Sequence, residues 1–151
     1  ILMRDNVGDV VVKGFESSIR WQPYARWQLR VSASTSTSKI VKFDSKIAAT
    51  NLKGLAISEV PNYLASAGLV YNGKRTILGI TYSYVGRQWI DDLNTQRLPD
   101  YQTVDLHAEH SLPLGLKLWV DVQNLFNAQF LDKKGEQCHG RFFMAGIRFD
   151  F

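Results

Sequence analysis

The chain has 151 residues, of which 45% are apolar, 12% aromatic and 21% charged, a globular rather than a disordered composition. No apolar run approaches the roughly 18 residues of a membrane-spanning helix, and the single cysteine, Cys138, excludes an intrachain disulfide and any multi-cysteine zinc site. The net charge is +4, with basic residues scattered rather than grouped among stacking aromatics, so nucleic acid is not an expected partner.

Residues 1–9 are polar and read as a loop end that carries no leader, as in a processed chain or an internal fragment. From Val10 the pattern alternates: Val11, Lys13, Phe15, Ser17, Ile19 and Trp21 oppose Val12, Gly14, Glu16, Ser18 and Arg20. Such a period of two is that of a strand, whose successive side chains point to opposite faces. Pro23 ends it, since proline cannot donate to a ladder. The next strand sets Trp27, Leu29, Val31, Ala33 and Thr35 against Gln28, Arg30, Ser32, Ser34 and Ser36. Residues 42–59 keep no period and are predicted to be a long loop.

Tyr63, Ala65, Ala67, Leu69 and Tyr71 then oppose Asn62, Leu64, Ser66, Gly68 and Val70. Asn72-Gly73 predicts a two-residue hairpin with both turn residues at positive φ. The return strand sets Thr76, Leu78, Ile80, Tyr82 and Tyr84 against Ile77, Gly79, Thr81, Ser83, Val85 and Arg87. A polar loop from Ile90 to Leu98 ends at Pro99. Val104, Leu106, Ala108 and Leu112 oppose Thr103, Asp105, His107 and Glu109, and Pro113-Leu114-Gly115 makes a tight turn. Leu116, Leu118, Val120 and Val122 oppose Lys117, Trp119, Asp121 and Gln123, and residues 127–140 form a third long loop. In the last strand Phe143, Ala145, Ile147, Phe149 and Phe151 share one face.

Seven strands in up-and-down order, joined alternately by short and long connections, are the pattern of an outer-membrane barrel. One face is aliphatic and aromatic; the other holds Glu16, Arg20, Arg30, Asp105, His107, Glu109, Lys117, Asp121 and Arg148. Unpaired ions cannot fill a dry core but can line a wet lumen. Aromatics on the apolar face gather near strand ends, with Trp21, Trp27, Tyr71, Phe149 and Phe151 by the short turns. Phe15, Tyr82, Tyr84, Phe126 and Phe143 lie towards the long loops, giving two girdles at headgroup depth. Lys13, Lys39 and Arg141 share the apolar parity near the loop ends. Parity leaves open whether they meet the phosphates of an anionic leaflet or stand beyond the lipid.

Seven strands alone would leave two sheet edges unpaired, which hydrocarbon does not tolerate, so residues 1–151 are expected to be the C-terminal part of a longer barrel. The chain resembles the C-terminal third of the barrel of TonB-dependent outer-membrane receptors. The matching segments are Gly14-Phe15-Glu16, Val60-Pro61-Asn62-Tyr63, Tyr84-Val85-Gly86-Arg87 and Tyr101-Gln102-Thr103-Val104-Asp105-Leu106. Further along come Val122-Gln123-Asn124-Leu125-Phe126-Asn127 and the ending Gly146-Ile147-Arg148-Phe149-Asp150-Phe151. The resemblance implies a transmembrane barrel of about 22 antiparallel strands, with an N-terminal plug and a TonB-engaging segment that this sequence lacks. It implies energised import of a scarce, bulky ligand, commonly a ferric siderophore, without covalent chemistry. It also implies a periplasmic C-terminus and a final strand whose Phe151, Phe149 and Ile147 signal to the outer-membrane assembly machinery. Outer-membrane lipid, lipopolysaccharide and the TonB complex are the other expected partners.

Arg87, Trp89 and Tyr101, on inward parity near the loop end, are the candidate ligand-binding residues, a cation and two rings suited to an anionic or aromatic chelate. No cofactor is called for, and no enzyme activity is expected. Cys138-His139 supplies two adjacent donors, which do not build a tetrahedral metal site. Asp105, His107 and Glu109 share a strand face, but no serine stands at suitable spacing for a nucleophile. A passive outer-membrane channel, a structural barrel and an outer-membrane lipid hydrolase are the alternative readings.

Overall fold

The structure, a computed structural model, describes residues 8–43, 50–133 and 136–150. Alternating sequence gives strands throughout: β1 (Gly8–Tyr24), β2 (Trp27–Phe43), β3 (Tyr63–Asn72), β4 (Thr76–Val85), β5 (Gln88–Trp89) and β6 (Arg97–Leu98). They continue as β7 (Tyr101–Ser111), β8 (Leu116–Gln123), β9 (Leu131–Lys133), β10 (Glu136–Gln137) and β11 (Phe142–Phe149). Seven of them form one antiparallel sheet in the order β1-β2-β3-β4-β7-β8-β11, so every neighbour in the sheet is the next long strand of the chain. Pairs β5–β6 and β9–β10 are separate small hairpins.

The register carries the apolar parity unbroken from strand to strand. Ile19 pairs with Val31 and Val31 with Ala67; Leu69 pairs with Ile80, Ile80 with Leu106, Leu106 with Val122, and Val122 with Phe143. A slip of one residue anywhere would send half of this face to the other side. These side chains do not meet a second layer. Leu78, Leu118 and Ile147 are 48, 40 and 69% exposed, and Leu29 is half-buried. Among the described residues the one buried apolar side chain is Leu98, out at the loop end.

The chain exposes 11297 Å². A compact soluble chain of this mass would expose about 7,800 Å². The excess belongs to a single curved layer whose greasy face is built to meet something other than protein. Rings sit at both ends of that face: Trp27 against Tyr71 (centroids 5.0 Å) by the short turns, and Tyr63 against Tyr84 (5.9 Å) by the long loops. On the opposite face Trp119 covers Gly146, its register partner, where a Cβ would lie 2.5 Å from the indole.

Three expectations are corrected. First, neither Asn72 nor Gly73 has a positive φ, and the two-residue hairpin does not form. Asn72 instead stays in the ladder opposite Ile77, and the Gly73 N–H donates to the Thr76 carbonyl (2.8 Å), making a wider turn. Second, β1 and β2 are 17 residues each, so the strand persists through Lys42 and Phe43, where a loop was expected. Part of that predicted loop lies outside the described residues. Third, the other two long loops contain the β5–β6 and β9–β10 hairpins. The turn at Pro113–Gly115 is as expected, with Leu114 and Gly115 both left-handed (φ 65 and 77°).

Candidate functional site at the loop end of the sheet

Two connecting segments, 50–62 and 86–100, are tied together above the β2–β4 edge. The Glu59 N–H donates to the Trp89 carbonyl (2.7 Å) and the Asn62 N–H to that of Arg87 (3.2 Å). Asn94 makes a reciprocal pair with the Ala56 backbone, accepting at 2.7 Å and donating at 3.0 Å, from a left-handed φ of 55° that asparagine tolerates. The Asp91 carboxylate closes its own loop, accepting from the Thr95 and Gln96 amides (3.0 and 2.9 Å) and the Thr95 hydroxyl (2.7 Å). The Gln96 amide first, then the Thr95 hydroxyl, holds the Asp91 carboxyl below its ordinary value.

This scaffold frames a cleft of about 200 Å³ whose lining includes Ser36, Ser38, Asn62, Arg87, Trp89 and Arg97. Arg87 and Trp89 therefore both line this one cleft. Tyr101 is not among the residues that line it: its ring stacks on Phe130 at 3.8 Å and 11°. Arg97 is the addition that sequence reasoning missed. Its guanidinium carbon sits 3.9 Å from the centre of the Trp89 ring, a cation–π contact, but its segment has no period from which to read a direction. Arg87 Nε lies 3.4 Å from Asp100, in an exposed pair that contributes little to stability and leaves the guanidinium accessible. Asp100's own amide, then the Tyr84 hydroxyl and Arg87, keep its carboxyl below the ordinary range. The cleft thus presents two cations, an indole face and serine hydroxyls, a set suited to an anionic or flat ligand.

Below it, the polar side chains of β7, β8 and β11 are engaged pair by pair. His107 Nδ1 is 2.7 Å from Asp121, Arg148 is 3.1 Å from Glu109, and Lys117 is 2.6 Å from Asp150. Asp105 accepts the Asn124 amide (2.8 Å). Asp105, His107 and Glu109 each turn to a different partner, and no nucleophile is shared among them.

Asn124 has a structural task. It is 5% exposed, has φ 49°, and exchanges two 2.9 Å bonds with Ala128. Asn127, at φ 55°, accepts the Arg141 amide (2.9 Å) and so starts β11. The terminal residues Ile147 and Phe149 lie on the apolar face, 69 and 55% exposed, while Phe151 lies outside the described residues.

An up-and-down sheet with an exposed apolar face, two belts of rings and an ionic inner face defines a wall of a membrane β-barrel. No helix among the described residues is long and apolar enough to cross a membrane. The family described as TonB dependent receptor-like, beta-barrel, matches residues 3–125. The chain belongs to that family of outer-membrane proteins.

Similar solved structures agree in fold. The siderophore receptor PiuA from Acinetobacter baumannii matches with a TM-score of 0.72 and 19% identity over 93% of this chain and 20% of its own. The ferric yersiniabactin uptake receptor FyuA from Yersinia pestis gives 0.75 and 18% over 97% and 24%. The ferric preacinetobactin receptor BauA from Acinetobacter baumannii gives 0.78 and 18% over 93% and 22%. The chain therefore spans about a fifth to a quarter of the length of these receptors. A comparison with curated protein sequences found no relative.

Proposed function

We propose that residues 1–151 are the C-terminal part of a larger receptor barrel, completed by further strands and a plug, that imports a scarce, bulky ligand across the outer membrane. The ligand class best suited is a ferric siderophore, and the energy comes through TonB, engaged by a segment outside this sequence. The observation that carries this reading is the loop-end cleft, where Arg87, Arg97 and Trp89 converge on the ionic face of a wall whose other face is greasy. The names of the three receptors given above, for ferric or siderophore uptake, support the ligand class, although another similar structure is named as the copper transporter OprC. Long loops face the outside, the C-terminus faces the periplasm, and Ile147 and Phe149, with Phe151, address the assembly machinery. Lipopolysaccharide surrounds the outer rim.

The test is uptake of radiolabelled ferric siderophores by cells that depend on this protein. Uptake should stop when the proton-motive force is collapsed; uptake that persists makes the protein a passive channel and refutes the proposal. Removing Arg87 and Arg97 together should weaken binding at least tenfold, since a hydrogen bond to a charged group contributes about 1.5–3 kcal/mol.

A further inference from the structure

A second recess opens on the ionic face, over the β7–β11 side of the sheet. It measures about 370 Å³, and its lining includes Thr103 and Asp105 of β7, Gln123 of β8, Phe142 of β11, and Phe130 and His139 from the connection after β8. No residue is common to it and the Arg87 cleft. Thr103, Asp105 and Gln123 have the polar side chains that this parity calls for. Phe142 does not: it pairs with Gln123, and its ring is 48% exposed on the wet side. A ring there serves neither lipid nor a dry core. Phe130 joins it from the loop, with the Tyr101 ring stacked on it at 3.8 Å and 11°.

The charge of the recess is also unmet. On the same wall Glu109 has Arg148 at 3.1 Å, Asp150 has Lys117 at 2.6 Å, and Asp121 has the His107 ring at 2.7 Å. Asp105 is half-buried, yet among the described residues no basic side chain lies within ion-pair distance of it. Its Oδ1 accepts the Asn124 amide (2.8 Å), and among the described residues no donor reaches Oδ2.

We infer that this recess is a subsite for a protonated amine or guanidinium group borne by the imported ligand. Asp105 Oδ2 accepts the N–H groups, the Gln123 and Thr103 oxygens take those that remain, and the rings of Phe130 and Phe142 flank the cation. A carboxylate without a counter-ion rejects anionic groups. A small, strongly hydrated metal ion wants several oxygen ligands, which two phenyl rings do not supply. The volume lies near the lower end of the range for ligand pockets, about 300–1,000 Å³, and so suits one arm of a bulky ligand. Between β2, which carries Ser36 of the Arg87 cleft, and β7 there are three strand intervals, roughly 14 Å. One ligand can therefore place an anionic part at Arg87 and Arg97 and a cationic arm at Asp105. The inference rests on the import reading proposed above.

The experiment is saturation-transfer NMR on the purified full-length protein in detergent, with butylguanidinium as the probe and butylurea as its neutral counterpart. Wild type should bind butylguanidinium about tenfold more tightly than butylurea, or better. Asp105→Asn keeps an acceptor for the Asn124 amide but removes the charge, and should weaken the probe by about tenfold or more. Phe142→Leu should weaken it about fivefold. Glu16→Gln, which removes a carboxylate from the same face on β1, should leave it unchanged. The subsite is overturned if wild type holds butylurea as well as butylguanidinium, a comparison that needs no variant to fold. It is equally overturned if Asp105→Asn or Phe142→Leu binds like wild type, or if Glu16→Gln loses as much as Asp105→Asn. Tighter binding of methyl glucoside than of the cation would make the recess a polyol site and overturn it too. Binding to the purified protein draws no energy from TonB. Uptake that survives collapse of the proton-motive force thus refutes the import reading and leaves this measurement standing, whereas an energised importer that ignores the probe refutes the subsite alone.

Discussion

Two adjacent residues of β4 offer a direct test of which face meets lipid. Ile80 points to the greasy side, 44% exposed, with Leu69 and Leu106 as its ladder partners. It lies four residues from Thr76 and four from Tyr84, so about 10 Å of membrane depth separates it from either end of the row. Thr81, next in the strand, points the other way, opposite Gly68 and Asp105. An arginine at position 80 would sit near the bilayer midplane, at a cost of about 2–4 kcal/mol. An arginine at position 81 would enter water beside the Asp105 carboxylate, at a cost under about 0.5 kcal/mol. The assay is urea-titrated equilibrium refolding of Ile80→Arg and Thr81→Arg into phospholipid vesicles, followed by tryptophan fluorescence. If Thr81→Arg is as costly as Ile80→Arg, or costlier, the faces are assigned wrongly and the barrel reading fails with them.

Other consequences follow from the loop ends and the inner wall. Asn124→Ala removes both bonds to Ala128 and a conformation that alanine adopts poorly, so it should cost about 1–3 kcal/mol and raise hydrogen exchange in residues 124–130. Unchanged exchange there would refute its structural role. Gly146→Val forces the Trp119 indole off the strand; the fluorescence of that tryptophan should shift to the red, with a loss of about 1–3 kcal/mol. Because the folded Asp91 carboxyl titrates below its ordinary value, the order it confers is present above the unfolded value near pH 3.9 and lost as pH falls through the folded one. Amide protection of Thr95 and Gln96 should therefore hold at neutral pH and disappear only in acid; loss between pH 6 and 8 would contradict the assignment.

Much of this architecture was legible because a strand writes its two environments into the sequence as a period of two. Val31, Leu69, Ile80, Leu106 and Val122 share a face whatever the register, provided that neighbouring turns keep parity, and they do. The ionic row from Asp105 to Glu109 was legible for the same reason. The failures lie where backbone hydrogen bonding outvoted local preference. Asn72-Gly73 has the residues of a tight hairpin, but the Asn72 N–H bonds to the Arg26 carbonyl in the neighbouring turn (2.7 Å), which holds Asn72 in the ladder. Strand β2 outran its alternation because segment 50–62 lends its edge partners, as when the Ile40 N–H donates to the Leu55 carbonyl (2.9 Å).

From order alone, then, the chain settles that it is a single amphipathic layer, since the choice between lipid and lumen is made residue by residue by solvation. The cleft was different. Arg97 reached Trp89 as its ladder partner in the short β5–β6 hairpin, and Tyr101 left for Phe130 in a different connecting segment, pairings that no period announces. Which side chains converge there depends on how the closing loops fold back over the rim, and that is fixed only when the strands beneath have found their partners.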